Sequence, residues 1–357
     1  MRKIEETIKK IRGIDKDLLK EAQARLDGLT KPLGSLGRLE ELAQRVVAIT
    51  RDKNPRMQNK VIFTLAGDHG VVEEGVSAYP QEVTAQMVYN LLRGGAGINV
   101  LARHVGARVV VADVGVAADL EKHPTLIIRK VGYGTRNMVQ GPAMTKEEAI
   151  RSIETGMDIF ETEFVKGVDI IGTGEMGIGN TTPSSAITAV FTGYPIEKIT
   201  GRGTGVDDEA LNNKIEVIQR ALKMNKPDAQ DALDVLAKVG GFEIGGLAGV
   251  IIAAAARDVP VVVDGFISGA AALIAYHLEP KVKDYLIASH CSVECGHKVV
   301  LEHIGLTPLL DLNLRLGEGT GAALGINLVE AAVKIMTQMA TFKSAGVSEG
   351  ISQEVQA

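Results

Sequence analysis

Tryptophan is absent from the 357 residues, and all aromatics together make up only 4%. Proteins that hold single-stranded nucleic acid need aromatic rings for the bases to stack on, so this shortage argues against that class. A net charge of −5 argues against nucleic-acid partners more generally. The charge is uneven, since residues 1–60 hold 15 Lys and Arg against 9 Asp and Glu; a modest basic lobe of this kind reads as a solvated helical surface. Cysteine is equally scarce. Cys291 and Cys295 are too few for a disulfide framework and lack the second pair that a zinc site requires. No apolar run spans a membrane without interruption: residues 239–265 come closest, and Glu243, Arg257 and Asp258 break them. The first twenty residues are charged throughout, with no apolar core of a signal peptide, so a cytoplasmic location is expected.

Glycine is abundant instead, with 40 residues, and 45% of the chain is hydrophobic. Residues 1–52 carry Ile4, Ile8 and Ile11, then Leu18, Leu19, Ala22 and Leu26, at helical spacing. Short apolar, β-rich runs follow at 61–68, 107–115, 168–175, 259–265 and 285–290, each ending near Gly, Asp or His. Helical patterns lie between them at 81–103, 146–163, 181–191, 207–223, 243–256, 268–278 and 294–304, and a last long one at 321–341. Continuous apolar strands alternating with helices predict an α/β fold: a mostly parallel, Rossmann-like sheet with helices on both faces. The amino-terminal helices (1–57) and the carboxy-terminal segment (325–357) are expected to form a small helical domain beside a large α/β catalytic domain (58–324). The polar tail after the last helix is expected to fray.

Ligands of such sheets bind beyond the carboxyl ends of the strands, where the glycine-rich segments fall. Gly172, Gly174 and Gly177 match G-x-G-x-x-G after a strand and before a helix, the dinucleotide-binding pattern. Glu175 inside that loop would oppose a pyrophosphate, and no acid ends a second strand at the right distance. Asn180, Thr181 and Thr182 make an N-cap and phosphate cradle for the next helix. Gly201, Gly203 and Gly205 permit close backbone approach, and Asp207 and Asp208 read as simple helix capping. Asp264, alone after an apolar strand, gives only weak support to a magnesium-diphosphate site. Asp68 and His69 lack further ligands at metal-binding spacing, so His69 is expected to be structural or to position substrate. Glu318, between Gly317 and Gly319 and just before the last helix, reads either as a helix-terminal acid or as a free-standing general base favoured in its ionised form by the helix.

Five segments occur in order across nearly the whole chain: LTKPLGSLGRLEEL, AGDHGVVEEGVSAYPQEVTAQMV, GTGEMGIGNTT, GRGTGVDD and LRLGEGTGAAL. Together they resemble the nicotinate-nucleotide–dimethylbenzimidazole phosphoribosyltransferase family. The resemblance implies transfer of phosphoribose from nicotinate mononucleotide to 5,6-dimethylbenzimidazole, with anomeric inversion from β to α, in a homodimer that needs no metal or cofactor and touches neither membrane nor nucleic acid. It assigns the general base to Glu318. Glu175 is expected beside the ribose and pyridine, and the phosphate on backbone N–H groups of Gly177 and Gly203, with Lys214 and Ser292 as side-chain donors. Ser77, Tyr79, Gln86, Met87 and Leu316 are the expected benzimidazole slot. An NAD-dependent oxidoreductase and a nucleotide- or benzimidazole-binding carrier are the rival readings.

Overall fold

A computed structural model describes residues 1–203, 205 and 207–348. In chain order the elements are α1 (Arg2–Ile8), α2 (Lys16–Asp27), α3 (Arg38–Thr50), β1 (Lys60–Gly67), α4 (Glu82–Leu92), α5 (Gly97–Val105), β2 (Ala107–Gly115) and β3 (Leu126–Ile128). They continue with α6 (Lys146–Phe164), β4 (Ile170–Met176), α7 (Thr181–Thr192), α8 (Ile196–Ile199), α9 (Asp208–Asn225), α10 (Ala232–Val239), α11 (Phe242–Ala256) and β5 (Val261–Val263). The last are α12 (Phe266–Leu278), β6 (Leu286–Ala288), α13 (Cys295–Ile304), α14 (Thr320–Gln338) and α15 (Phe342–Ala345).

The six strands form one all-parallel sheet, as the alternating pattern implies, in the doubly wound order β3-β2-β1-β4-β5-β6. Every residue of β1 is buried, which is why the strand reads as a continuous apolar run and not as an alternating one. The chain winds outward from β1 to β2 and β3, then crosses back to β4, so the winding direction reverses between β1 and β4. Neighbouring loops part at such a reversal and leave a crevice at the carboxyl ends of the strands. Register there pairs Thr64 with Gly174 and Leu65 with Glu175.

The chain divides into two compact units, Met1–Arg12 with Asn59–Ile326, and Gly13–Gln58 with the segment from Asn327 onward. The first twelve residues therefore differ from expectation and belong to the large unit. Ile4 is buried there, the terminal ammonium donates to Glu154 at 2.8 Å, Lys3 pairs with Asp158 and Arg12 with Asp258. Periodicity shows that a short helix has an apolar face, not which core receives it. In the second unit Asp15 caps α2 by accepting from the amides of Asp17 and Leu18, and a buried Lys31–Glu40 pair closes at 2.8 Å. From residue 349 the polar tail lies outside the described residues.

Candidate active site

The crevice holds a cavity of about 640 Å³, within the range of small-molecule sites. Its walls come from the loops after β1, β4, β5 and β6, from α4, and from the segment before α14. All of the lining residues belong to the large unit.

The glycines of the β4 loop are explained by close backbone approach. A Cβ on Gly174 would overlap the carbonyl oxygen of Glu318, one on Gly172 would lie 2.9 Å from Cβ of Ala322, and one on Gly177 would overlap the carbonyl of Gly67. The G-x-G-x-x-G spacing thus seats the start of α14 on β4 and joins the β4 loop to the end of β1. The dinucleotide reading of these glycines loses its basis, since the space a Cβ would need is taken by other parts of the protein, side chains at Gly172 and backbone at Gly174 and Gly177.

Glu318 sits in a turn with three successive residues of positive φ: Gly317 at 79°, Glu318 at 64° and Gly319 at 100°. A non-glycine residue in this region is strained, by about 1–3 kcal/mol. The turn is held by Thr64, whose hydroxyl donates to the Glu318 carbonyl at 2.9 Å. Glu318 is 4% exposed, and its carboxylate accepts from the amide of Ile98 at 3.1 Å, at the start of α5. Burial raises its pKa above the usual carboxylate range, against the lowering effect of the Ile98 and Gly97 amides. Two expectations change here. Glu318 faces the first turn of α5 and not that of α14, and its environment does not favour the ionised form.

Asp264 does what Glu318 was expected to do. Its carboxylate accepts from Ala322 N at 2.9 Å and Gly319 N at 3.2 Å, at the first turn of α14. Burial nevertheless raises its pKa to about 7. A carboxylate committed to these amides has no geometry for the magnesium-diphosphate role considered from its sequence context. Among the described residues no group of three or more His, Cys, Asp and Glu is placed to hold a metal ion.

Glu175, the last buried residue of β4, is pushed up to about 8 by burial, aided by Asp264, Glu243 and Glu318, while its hydrogen bond from the Asn180 amide lowers it. Asn180 stands at the N-cap position of α7 but spends its side chain on Glu175 and makes no side-chain cap bond. Beneath this loop His69 is paired with Glu243 at 2.8 Å, both fully enclosed. Burial lowers the His69 pKa, but Glu243 and Asp68 outweigh it and the net shift is upward.

The cation lies behind Thr181. Lys214 projects from α9, is 1% exposed and donates to Thr181 Oγ1 at 2.5 Å. It lies directly behind the wall that Thr181 and Gly203 form, where a Cβ on Gly203 would come 3.1 Å from its ammonium. Burial lowers its pKa to about 8, partly offset by Glu294. The Gly203 amide is already engaged, donating to Glu294 Oε1 at 2.9 Å. Ser292 lines the cavity, and its hydroxyl accepts from Glu294 N at 3.3 Å. Of the GRGTGVDD motif, Thr204 and Val206 lie outside the described residues, and Asp207 caps α9 through Ala210 N.

The third wall is apolar. Val76, Val83, Met87, Met176, Ile178 and Leu314 line it, with Ser77, Tyr79 and Leu316 at its rim; Tyr79 and Leu316 are 53% and 61% exposed. Gln86 is exposed and is not among the lining residues. On α4, Val83 and Met87 are four apart and share the cavity face; Gln86 is turned about 100° from Met87 and points away. Val83 therefore stands where Gln86 was expected. Asn180, His290 and Glu294 also line the cavity, and Asp264 braces the turn that carries Glu318; the sequence contexts of His290 and Glu294 carried no motif beyond a strand end or a helix start.

The arrangement brings to one cavity a buried carboxylate of elevated pKa, apolar side chains and backbone amides, with an enclosed ammonium behind Thr181 that suits an anion.

Comparison with known proteins shows which family the chain belongs to. A family model described as Phosphoribosyltransferase matches residues 11–347. The nicotinate-nucleotide–dimethylbenzimidazole phosphoribosyltransferase of Geobacter sulfurreducens is 61% identical over 345 residues, covering 97% of this chain and 98% of its own. That of Geotalea uraniireducens is 60% identical over 350 residues, covering 98% and 99%. Among solved structures, CobT from Thermus thermophilus superposes with a TM-score of 0.90 at 47% identity, covering 94% of this chain and 100% of that one. With a family match over nearly its whole length and relatives far above 30% identity, the chain belongs to the nicotinate-nucleotide–dimethylbenzimidazole phosphoribosyltransferase family.

Proposed function

We propose that this enzyme transfers the 5-phosphoribosyl group of nicotinate mononucleotide to 5,6-dimethylbenzimidazole, yielding α-ribazole 5′-phosphate and nicotinate. One benzimidazole nitrogen attacks C1′ of the ribose from the face opposite nicotinate. The C1′–N bond to nicotinate breaks, and its electron pair neutralises the cationic pyridine nitrogen. The second benzimidazole nitrogen gives its proton to Glu318. Attack from the opposite face converts a β-nucleotide into an α-product. The single observation that carries this reading is that Glu318, Gly177, Thr181 and the apolar Val83 and Met87 all line one cavity, with the enclosed Lys214 donating to Thr181 behind it.

The elevated pKa of Glu318 supports the assignment, because a stronger base takes a proton more readily. The slot formed by Met87, Val83 and Leu316 suits a flat apolar ring, with Ser77 and Tyr79 at its edge. Gly177, Lys214 and Ser292 suit a phosphate monoester; Gly203 joins them only if the phosphate displaces Glu294 from its amide. Glu175, close to Asn180 and held neutral by burial, suits a hydrogen bond to the ribose or pyridine. As the bond to nicotinate loosens, C1′ gains positive charge, which the Glu318 carboxylate stabilises electrostatically. A cytoplasmic homodimer, also proposed, rests on the resemblance. The test is product analysis by mass spectrometry after mixing the enzyme with both substrates in EDTA. The reading expects nicotinate and α-ribazole 5′-phosphate in equal amounts; unreacted substrates would overturn it.

A further inference from the structure

His290 lies just past β6, is 2% exposed and lines the cavity. The adjoining backbone is pinned, with Cys291 N donating to Leu310 O at 2.8 Å and Leu310 N donating to Ser289 O at 3.0 Å. The ring is wedged as well: a Cβ on Gly321, in the first turn of α14, would overlap Nδ1.

Its tautomer follows from its neighbour. Ser289 Oγ donates to the carbonyl of Asp264 at 3.1 Å and lies 3.0 Å from His290 Nδ1. A hydroxyl has one proton, and Asp264 takes it, so Oγ meets Nδ1 as an acceptor. Nδ1 therefore carries the ring proton, and Nε2 presents a lone pair. Burial lowers the His290 pKa, which keeps the ring neutral. Nε2 is not among the buried atoms shielded from solvent without a partner, and among the described residues it makes no hydrogen bond, so it opens toward the cavity. A Cβ on Gly265, another lining residue, would lie 3.8 Å from it.

A neutral acceptor in a substrate cavity needs a donor on the substrate. Resting on the phosphoribosyl-transfer reading, the donor inventory is short. At neutral pH the nicotinate carboxylate has no proton to donate, and the phosphate is chiefly a dianion. The benzimidazole N–H is the proton that Glu318 removes. The 2′- and 3′-hydroxyls of the ribose remain. We propose that His290 contacts the nucleotide directly, with Nε2 accepting a hydrogen bond from one ribose hydroxyl, so that the Asp264–Ser289–His290 chain ties the sugar's position to the α14 turn that carries Glu318.

The test is a chemical mutant cycle. Wild type and His290→Phe are assayed with nicotinate mononucleotide and its 2′-deoxy and 3′-deoxy analogues, with dimethylbenzimidazole held saturating. For wild type, deleting the contacted hydroxyl should lower kcat/KM roughly ten- to a hundred-fold beyond the change seen in the variant, because the buried acceptor loses its partner. The intrinsic reactivity of the deoxy sugar is common to both proteins and cancels in the ratio. His290→Gln, which keeps an acceptor, should recover part of the discrimination. His290→Leu serves in place of His290→Phe if that variant does not fold. Equal penalties for both analogues in wild type and in the folded variant would overturn the proposal. The phosphoribosyl-transfer reading fails separately, if wild type does not turn over the parent nucleotide.

Discussion

At the scale of single residues, the proposed catalysis rests on how a carboxylate is kept basic inside the protein. Glu318 is buried against an apolar wall, so its charged form is disfavoured and its proton affinity rises. Two amides at the start of α5 limit that rise. Glu318→Gln keeps the side-chain volume and can still accept from Ile98, so it should fold normally and bind both substrates. It should lose about 10²–10⁴-fold in kcat, the usual contribution of a general base. The wild-type rate should fall as pH is lowered through the raised pKa of Glu318, and that limb should be missing from the residual activity of the variant. A variant with near-normal kcat at neutral pH would remove Glu318 from the proton transfer. Local pattern showed Glu318 only as an acid between glycines, and Lys214 only as a helical lysine. What raised them was the order of five motifs along the chain. Their burial arises from contacts with α5 and with Thr181, more than thirty residues distant in either case, and no local spacing encodes that.

Elements set the geometry that those residues need. The turn 317–319 rests on β4 because Gly174 has no side chain there. Gly174→Ala places a methyl group against the carbonyl of Glu318, and backbone cannot yield as a flexible side chain would. The expected outcome is a loss of about 1–3 kcal/mol of stability, read by chemical denaturation, together with a kcat at least tenfold lower because the turn is displaced. A variant as stable and as active as wild type would show that the turn is not seated on this glycine. Most elements were legible in the sequence, since buried parallel strands read as unbroken apolar runs and β1, β2 and β4 are long enough to show. β3, Leu126–Ile128, has only its first residue buried, so it lacks the surrounding apolar run that betrayed the equally short β5 and β6. The expected helix over 81–103 is two helices, because Gly94 adopts a φ of 77° and ends α4. α10 is a short apolar helix in a segment rich in Lys and Asp, and its period was not separable from the helices on either side.

Over the whole molecule, the titrating groups of the cavity and core make stability depend on pH in a definite sense. Glu175 and Asp264 are raised to about 8 and about 7, from 4.5 and 3.8. Each keeps a proton that the unfolded chain has lost, so stability falls as pH rises toward those values. His69, also raised, acts in the same direction above its ordinary value. His277 and His297 are lowered to about 4 and about 3 by burial, so they stay neutral where the unfolded chain would charge them. Their effect is to reduce stability as pH falls below about 6.5. The substrate-free enzyme should therefore melt lower at pH 8 than at pH 6.5, and Glu175→Gln should flatten that decline. A melting temperature that climbs steadily to pH 8 would contradict the assignment.

The parallel sheet with helices on both faces was legible at this scale, because strands alternate with helices along the chain; the strand order was not. The affiliation of residues 1–12 was not, because it depends on tertiary partners such as Glu154, Asp158 and Asp258. The reaction also belongs to the whole molecule, since the loops of four strands and three helices must bring both substrates to one carbon. The most direct measurement is the anomeric configuration of the ribosyl product, read by NMR after the enzyme acts on nicotinate mononucleotide and 5,6-dimethylbenzimidazole. The account predicts the α-anomer of ribazole 5′-phosphate with release of nicotinate; a β-product, or no transfer to the base, would contradict it.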